Sequence, residues 1–122
     1  MNCPPIKDFN VPEEFYCTLF HEMAHSTGHQ SRLARPGIMT EGVAFGDEIY
    51  SKEELVAEMG TAMLCGVSGI DNSTIENSAS YIDSWLRAIK KDSRLILQAA
   101  AQAQKAADYI LGETNAHSIE EN

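Results

Sequence analysis

The pentapeptide His21-Glu22-Met23-Ala24-His25 ties the start of this chain to a helix. On an α-helix, residues four apart project from one face with Cβ atoms about 5–6 Å apart. His21 and His25 can then present two imidazole nitrogens to a single metal ion at about 2.0–2.1 Å. Glu22 lies between them in sequence, beside the site, where its carboxylate can take a proton from a metal-bound water. The flanking pattern fits the same helix: Phe15, Leu19 and Met23 line one side, Tyr16, Phe20 and Ala24 another, and the histidines occupy a remaining face. Asn10 with Glu13 three residues on forms a capping-box pattern, Asn standing in for Ser or Thr. Gly28 suits the far cap.

A catalytic zinc normally takes three protein ligands and keeps one position open. His29 comes two residues too early for the extended HExxHxxGxxH spacing, which would place a histidine where Ser31 stands. The second helix offers better candidates. Ser51 and Glu54 read as another capping box, the helix runs on through LVAEMGTAMLCGV, and Gly66, Gly69 and the polar stretch 71–74 end it. Glu54 and Glu58 share a face at i, i+4, where two carboxylates repel by a few tenths of a kcal/mol unless a cation or hydrogen bond compensates. Glu54 as third ligand, with Glu58 accepting a hydrogen bond from a ligand histidine, accounts for the pair. A plain first-turn cap is the other account of Glu54. Glu53 points about 100° away, the wrong side if Leu55 and Met59 pack inward. A zinc so held activates water and polarises a carbonyl, with Glu22 as base. Tyr50 and Tyr81 are candidate donors to the resulting oxyanion, and each is equally a packed tyrosine with its hydroxyl at the surface.

The remaining sequence reads as mainly α, about four helices with little or no β-sheet, in one domain over 1–122. Residues 1–9, with Pro4-Pro5, form an extended lead-in with a short edge strand at Ile6. Residues 29–50 form a long loop, a length that points to function, and Arg32 and Arg35 within it read as surface residues, the alternative being an approach to the site or to a substrate carboxylate. A third helix spans 74–91, with Ile75, Ala79, Ile82, Trp85, Leu86 and Ile89 at helical spacing. An alanine-rich fourth spans 93–111 and stops at Gly112, and 113–122, with His117, is a flexible acidic tail. Met23, Met59 and Met63 are core filler.

Nine Lys and Arg against eighteen Asp and Glu leave a net charge of −9, which argues against gripping a phosphate backbone unaided. Arg87, Lys90, Lys91, Arg94 and Lys105 face only Asp92 within 85–105, a local charge of 5 − 1 = +4 that reads as a solvated helix face. The three cysteines lack a disulfide pattern or CxxC spacing. No apolar run approaches the roughly 20 residues of a membrane span, and no signal segment opens the chain, so a cytoplasmic setting without membrane is expected.

Three stretches, EEFYCTLFHEMAHSTGHQSRL, FGDEIYSKEELVAEMGTAML and IENSASYIDSWLRAIKKDSRLILQAAAQAQKAADYIL, stand in order within roughly residues 4–111. They resemble the zincin-like metallopeptidase domain at the C-terminal end of ArdC antirestriction and TraC-type conjugation proteins, also found in phage polyvalent proteins. The resemblance implies a zinc-dependent, gluzincin-like peptidase acting on a protein or peptide. It puts His21, His25 and the glutamate in EELVAE, read as Glu54, at the metal, with Glu22 as base. It also implies an upstream domain that binds single-stranded DNA, and a substrate-aligning sheet. Only twenty residues precede His21, so the expectation is the minimal core of a truncated α+β zincin. The apolar surface that a missing sheet leaves would favour self-association into a homo-oligomer. The alternative the resemblance carries is a non-catalytic antirestriction or single-stranded-DNA-associated module that keeps a metal site.

Overall fold

Proline opens the first long helix, α1 (Pro12–Ser26). Its fixed φ suits the first helical position, and its missing N–H removes one donor that would otherwise need a cap. Val11 is therefore the N-cap, with no side-chain capping bond, and the Asn10–Glu13 box is not used. Glu13 and Glu14 lie in the first turn, where negative charge favours the helix dipole. At the other end Thr27 folds its hydroxyl onto the Ala24 carbonyl at 2.6 Å. Gly28 follows because of crowding: a Cβ there would lie 2.5 Å from Ile38 Cγ1.

The computed structural model describes residues 3–39, 47–70, 72 and 75–112. Ile6–Asp8 form a single 3-10 turn in place of the expected edge strand. A strand needs a partner for its ladder, and no strand occurs among the described residues. The expected long loop holds a short helix, α2 (Pro36–Met39). Its remaining stretch, 40–46, lies outside the described residues, as does the tail 113–122 with His117.

The next helix, α3 (Glu48–Ser68), starts four residues earlier than the Ser51 capping box predicts, with Asp47 as N-cap. Ser51 is thus buried inside the helix, its N–H bonded to the Asp47 carbonyl at 2.8 Å. Glu54 therefore sits in the second turn, where no cap needs it. Gly69, at φ 69°, takes the left-handed position that closes α3. After α4 (Ile75–Ala88), shorter than the predicted 74–91, the chain reverses through Lys90 and Lys91 at φ 57° and 51°. Asp92 then caps α5 (Ser93–Leu111) by accepting from the Arg94 N–H at 2.9 Å, and Gly112 ends it at φ 72°.

Helix α3 is the centre of the molecule, packing against all four other α-helices. Leu55, Val56, Trp85, Ile89, Ala99 and Ala103 form the core, with Met59, Met63 and Ile82 against it. Small residues let α1, α3 and α5 approach closely: a Cβ on Gly60 would stand 3.4 Å from Ala24 Cβ and 3.9 Å from the Ala103 carbonyl. Cys17 and Cys65 are buried across the α1–α3 contact with sulfurs 3.5 Å apart. The result is mainly α, with four long helices among the described residues. Among the described residues no helix is long and apolar enough to cross a membrane.

Candidate metal centre

Helices α1 and α3 cross in opposite senses, so that passing from His21 to His25 on one leads from Glu58 towards Glu53 on the other. At the crossing His21 Nε2 lies 3.1 Å from Glu54 Oε2. His25 Nε2 lies 3.1 Å from His21 Nε2 and 3.3 Å from the same Glu54 oxygen. Four tetrahedral donors, each about 2.0–2.1 Å from a common centre, would stand about 3.3 Å from one another. The three observed separations match that spacing. A cation placed between the three atoms would take a lone pair from each. His21, His25 and Glu54 could therefore hold a metal, and two imidazoles with one carboxylate suit zinc and its first-row neighbours. Their side chains are 24%, 18% and 16% exposed, sheltered but open on one side.

Each of the three groups also has a partner on its far side. His25 Nδ1 meets Glu53 Oε2 at 2.8 Å, and His21 Nδ1 meets Glu58 Oε2 at 3.4 Å. The Tyr50 phenol hydrogen-bonds Glu54. Burial alone would lower the histidine pKa values, but the carboxylates overcome it. Hydrogen bonds to Glu54 and Glu58 raise His21 to about 9, and those to Glu53 and Glu54 raise His25 to about 9. Burial works the other way on Glu54, and the two histidines outweigh it, bringing that carboxyl down to about 2. Glu53 is likewise held low against its burial, by His25 and Arg35. Tyr50 is raised, by burial first and then by the charge and hydrogen bond of Glu54. Glu58 keeps one carboxylate oxygen buried with no hydrogen-bond partner.

Among the other residues singled out from sequence, Glu22 is half-buried on α1 beside His21. Tyr81 is 54% exposed and stacks on Trp85, ring centres 6.2 Å apart. His29 is exposed and bonded to Ser31, away from the cluster. Arg32 is exposed, donating to the Ser26 carbonyl. Arg35 is not the surface residue its loop position suggests: it is 3% exposed and ion-paired to Glu53 at 2.8 Å. Glu53 is buried too, because Arg35 and His25 cover its side of α3. The argument from Leu55 and Met59 assumed one inward face. The available signal was the apolar and small-residue run of α3 from Leu55 to Cys65, which marks a helix covered on more than one side.

Comparison with known proteins identifies the family. Residues 1–102 match the profile of a zincin-like metallopeptidase family. The chain is 37% identical over 111 residues to an Escherichia coli protein named DNA primase TraC, covering 91% of this chain and 10% of that protein. It is 44% identical to the antirestriction protein ArdC of plasmid R388, with a TM-score of 0.75 to the Mn(II)-bound crystal structure, covering 91% of this chain and 40% of that one. The metal-free ArdC structure gives a TM-score of 0.71. The chain thus spans about a tenth of the TraC relative and two fifths of ArdC. With the family profile matched over most of its length, the chain belongs to the zincin-like metallopeptidases, of the ArdC and TraC type.

Proposed function

We propose that this chain is a zinc-dependent metallopeptidase domain that hydrolyses peptide bonds in a protein substrate, as part of an ArdC- or TraC-like plasmid or phage protein in the cytoplasm. The observation that carries the reading is the convergence of His21 Nε2, His25 Nε2 and Glu54 Oε2 within 3.3 Å of one another. The family implies the metal, and the two imidazoles favour zinc, while the ArdC crystal structure carries Mn(II). When bound, zinc makes water acidic enough to attack near neutral pH and polarises the substrate carbonyl.

The chain's own groups do the rest. Glu22 takes the proton of the attacking water on its carboxylate and delivers it to the leaving amine. Glu58 and Glu53 accept from the Nδ1–H groups of His21 and His25, which leaves each Nε2 lone pair for the metal. Tyr50, bonded to Glu54, steadies that ligand. Tyr81, at the surface on Trp85, is the tyrosine left to donate to the oxyanion.

A second reading has one observation in its favour: the relatives that lend their names to antirestriction and conjugation are far longer than this chain. In it, the domain holds its metal without turnover, and single-stranded DNA is met through the rest of a longer protein. The basic strip gives this reading little help, since Arg87 pairs with Asp83 and Arg94 with Asp92. The deciding experiment is cleavage of an unfolded protein such as casein by the zinc-loaded chain and by Glu22→Gln. Cleavage lost in the variant with zinc retained is the expected result. Persistent cleavage would contradict the role of Glu22, and a zinc-loaded wild type that never cleaves would favour the second reading.

A further inference from the structure

We propose that Arg35 is a positioning residue for the metal centre: by gripping Glu53 and the last turn of α1 together, it fixes the orientation of His25. The inference rests on the reading of His21, His25 and Glu54 as metal ligands, and extends it to two residues outside that set.

The contacts leave the Arg35 side chain a single placement. Its Nε donates to Glu53 Oε1 at 2.8 Å and its Nη2 to Glu53 Oε2 at 3.0 Å, a two-point fork. Such a pair fixes the carboxylate plane as well as its position. Nη2 also reaches the Ala24 carbonyl at 2.6 Å, and Nη1 reaches Thr27 Oγ1 at 2.7 Å. The first of these is a carbonyl near the end of α1 that also accepts from the Thr27 hydroxyl at 2.6 Å. The guanidinium therefore bolts the end of α1 to α3 through one planar group. Glu53 Oε2, held in that plane, stands 2.8 Å from His25 Nδ1. An acceptor fixed there keeps the proton on Nδ1 and turns Nε2 towards Glu54 and His21.

The backbone brings Arg35 back to this position through a tight turn. Leu33 N–H bonds the Thr27 carbonyl at 2.8 Å, and Arg35 N–H bonds the Gly28 carbonyl at 3.0 Å. Ala34 takes φ 47° to close it, a left-handed conformation that an alanine adopts at a cost. The Gly28 Cβ position lies only 3.1 Å from Arg35 Nη2, so the turn is packed directly against the guanidinium.

Lysine in place of Arg35 keeps the charge and loses the fork. The test is zinc affinity of Arg35→Lys against wild type, by competition with a chromophoric chelator. Alongside it, the His25 Nδ1 proton is followed by NMR in the zinc-loaded protein. Zinc binding weaker by about 10–100-fold is expected, together with loss of the slowly exchanging, downfield Nδ1 proton. Leu64→Ala, a core variant remote from these groups, is the control: it lowers stability and leaves both readouts unchanged. Should Arg35→Lys fail to fold, Glu53→Gln is read in its place, with the same expectation at about tenfold. Wild-type affinity and an unchanged Nδ1 proton in a folded Arg35→Lys would overturn the positioning role while the ligand set stands. A wild type that binds no zinc would overturn both.

Discussion

Tyr50 shows how single residues divide their work in this site. Its phenol bonds Glu54, so its first effect is on the carboxylate. Tyr50→Phe keeps the ring in the core and removes that bond. Zinc affinity should fall about tenfold, with thermal stability in the metal-free state changed by no more than about 1 kcal/mol. Equal zinc affinity would leave Tyr50 a packing residue. The cysteines make a separate prediction. Burial pushes the Cys65 thiol up to about 12, and it faces Cys17 inside the α1–α3 contact. Since the thiolate is the reactive form, a thiol reagent at pH 8 should modify Cys3 readily and reach Cys17 and Cys65 only on unfolding. Rapid modification of all three would show that the α1–α3 contact opens. At this scale the sequence was readable where spacing within one helix decides the geometry, as for His21 and His25. Glu53 and Arg35 were not, because their partnership spans eighteen residues and depends on which sides of α3 are covered.

Helix ends follow local chemistry closely where the cap is a single strong signal. The alanine run and Gly112 placed α5 at its observed bounds, and the structure adds Asp92 as its N-cap. Two capping boxes misled, since Pro12 starts α1 without the help of Asn10, and Asp47 starts α3 ahead of Ser51. The Ile6 strand failed for want of a partner strand among the described residues. Packing between elements is sharpest at Gly28, where an added Cβ would meet Ile38 Cγ1 at 2.5 Å and Arg35 Nη2 at 3.1 Å. Gly28→Ala should therefore cost about 1–3 kcal/mol in urea unfolding. The double variant with Ile38→Ala should recover part of that loss. A neutral Gly28→Ala would mean that α2 moves aside without penalty.

For the molecule as a whole, the proposed metal joins α1 to α3, and α3 is the helix on which every other α-helix packs. A ligand that binds only the folded state stabilises it by mass action, about 2.7 kcal/mol at a free concentration of 100 Kd. Zinc should raise the thermal midpoint by several degrees, and a chelator should reverse the gain. The fold class was legible from helical periodicity and the absence of strand signals. The central place of α3 was not, because it depends on Gly60 and Ala103 bringing three helices together. Apolar side chains such as Val67 and Leu97 remain exposed, and sedimentation analysis is expected to show self-association at high concentration.

The most direct test of the proposed centre is the metal content of the purified chain by elemental mass spectrometry, wild type beside Glu54→Ala. The account predicts close to one zinc per wild-type chain and a sharp fall in the variant. Zinc retained in full by Glu54→Ala, or no zinc in wild type after it is offered at neutral pH, would contradict it.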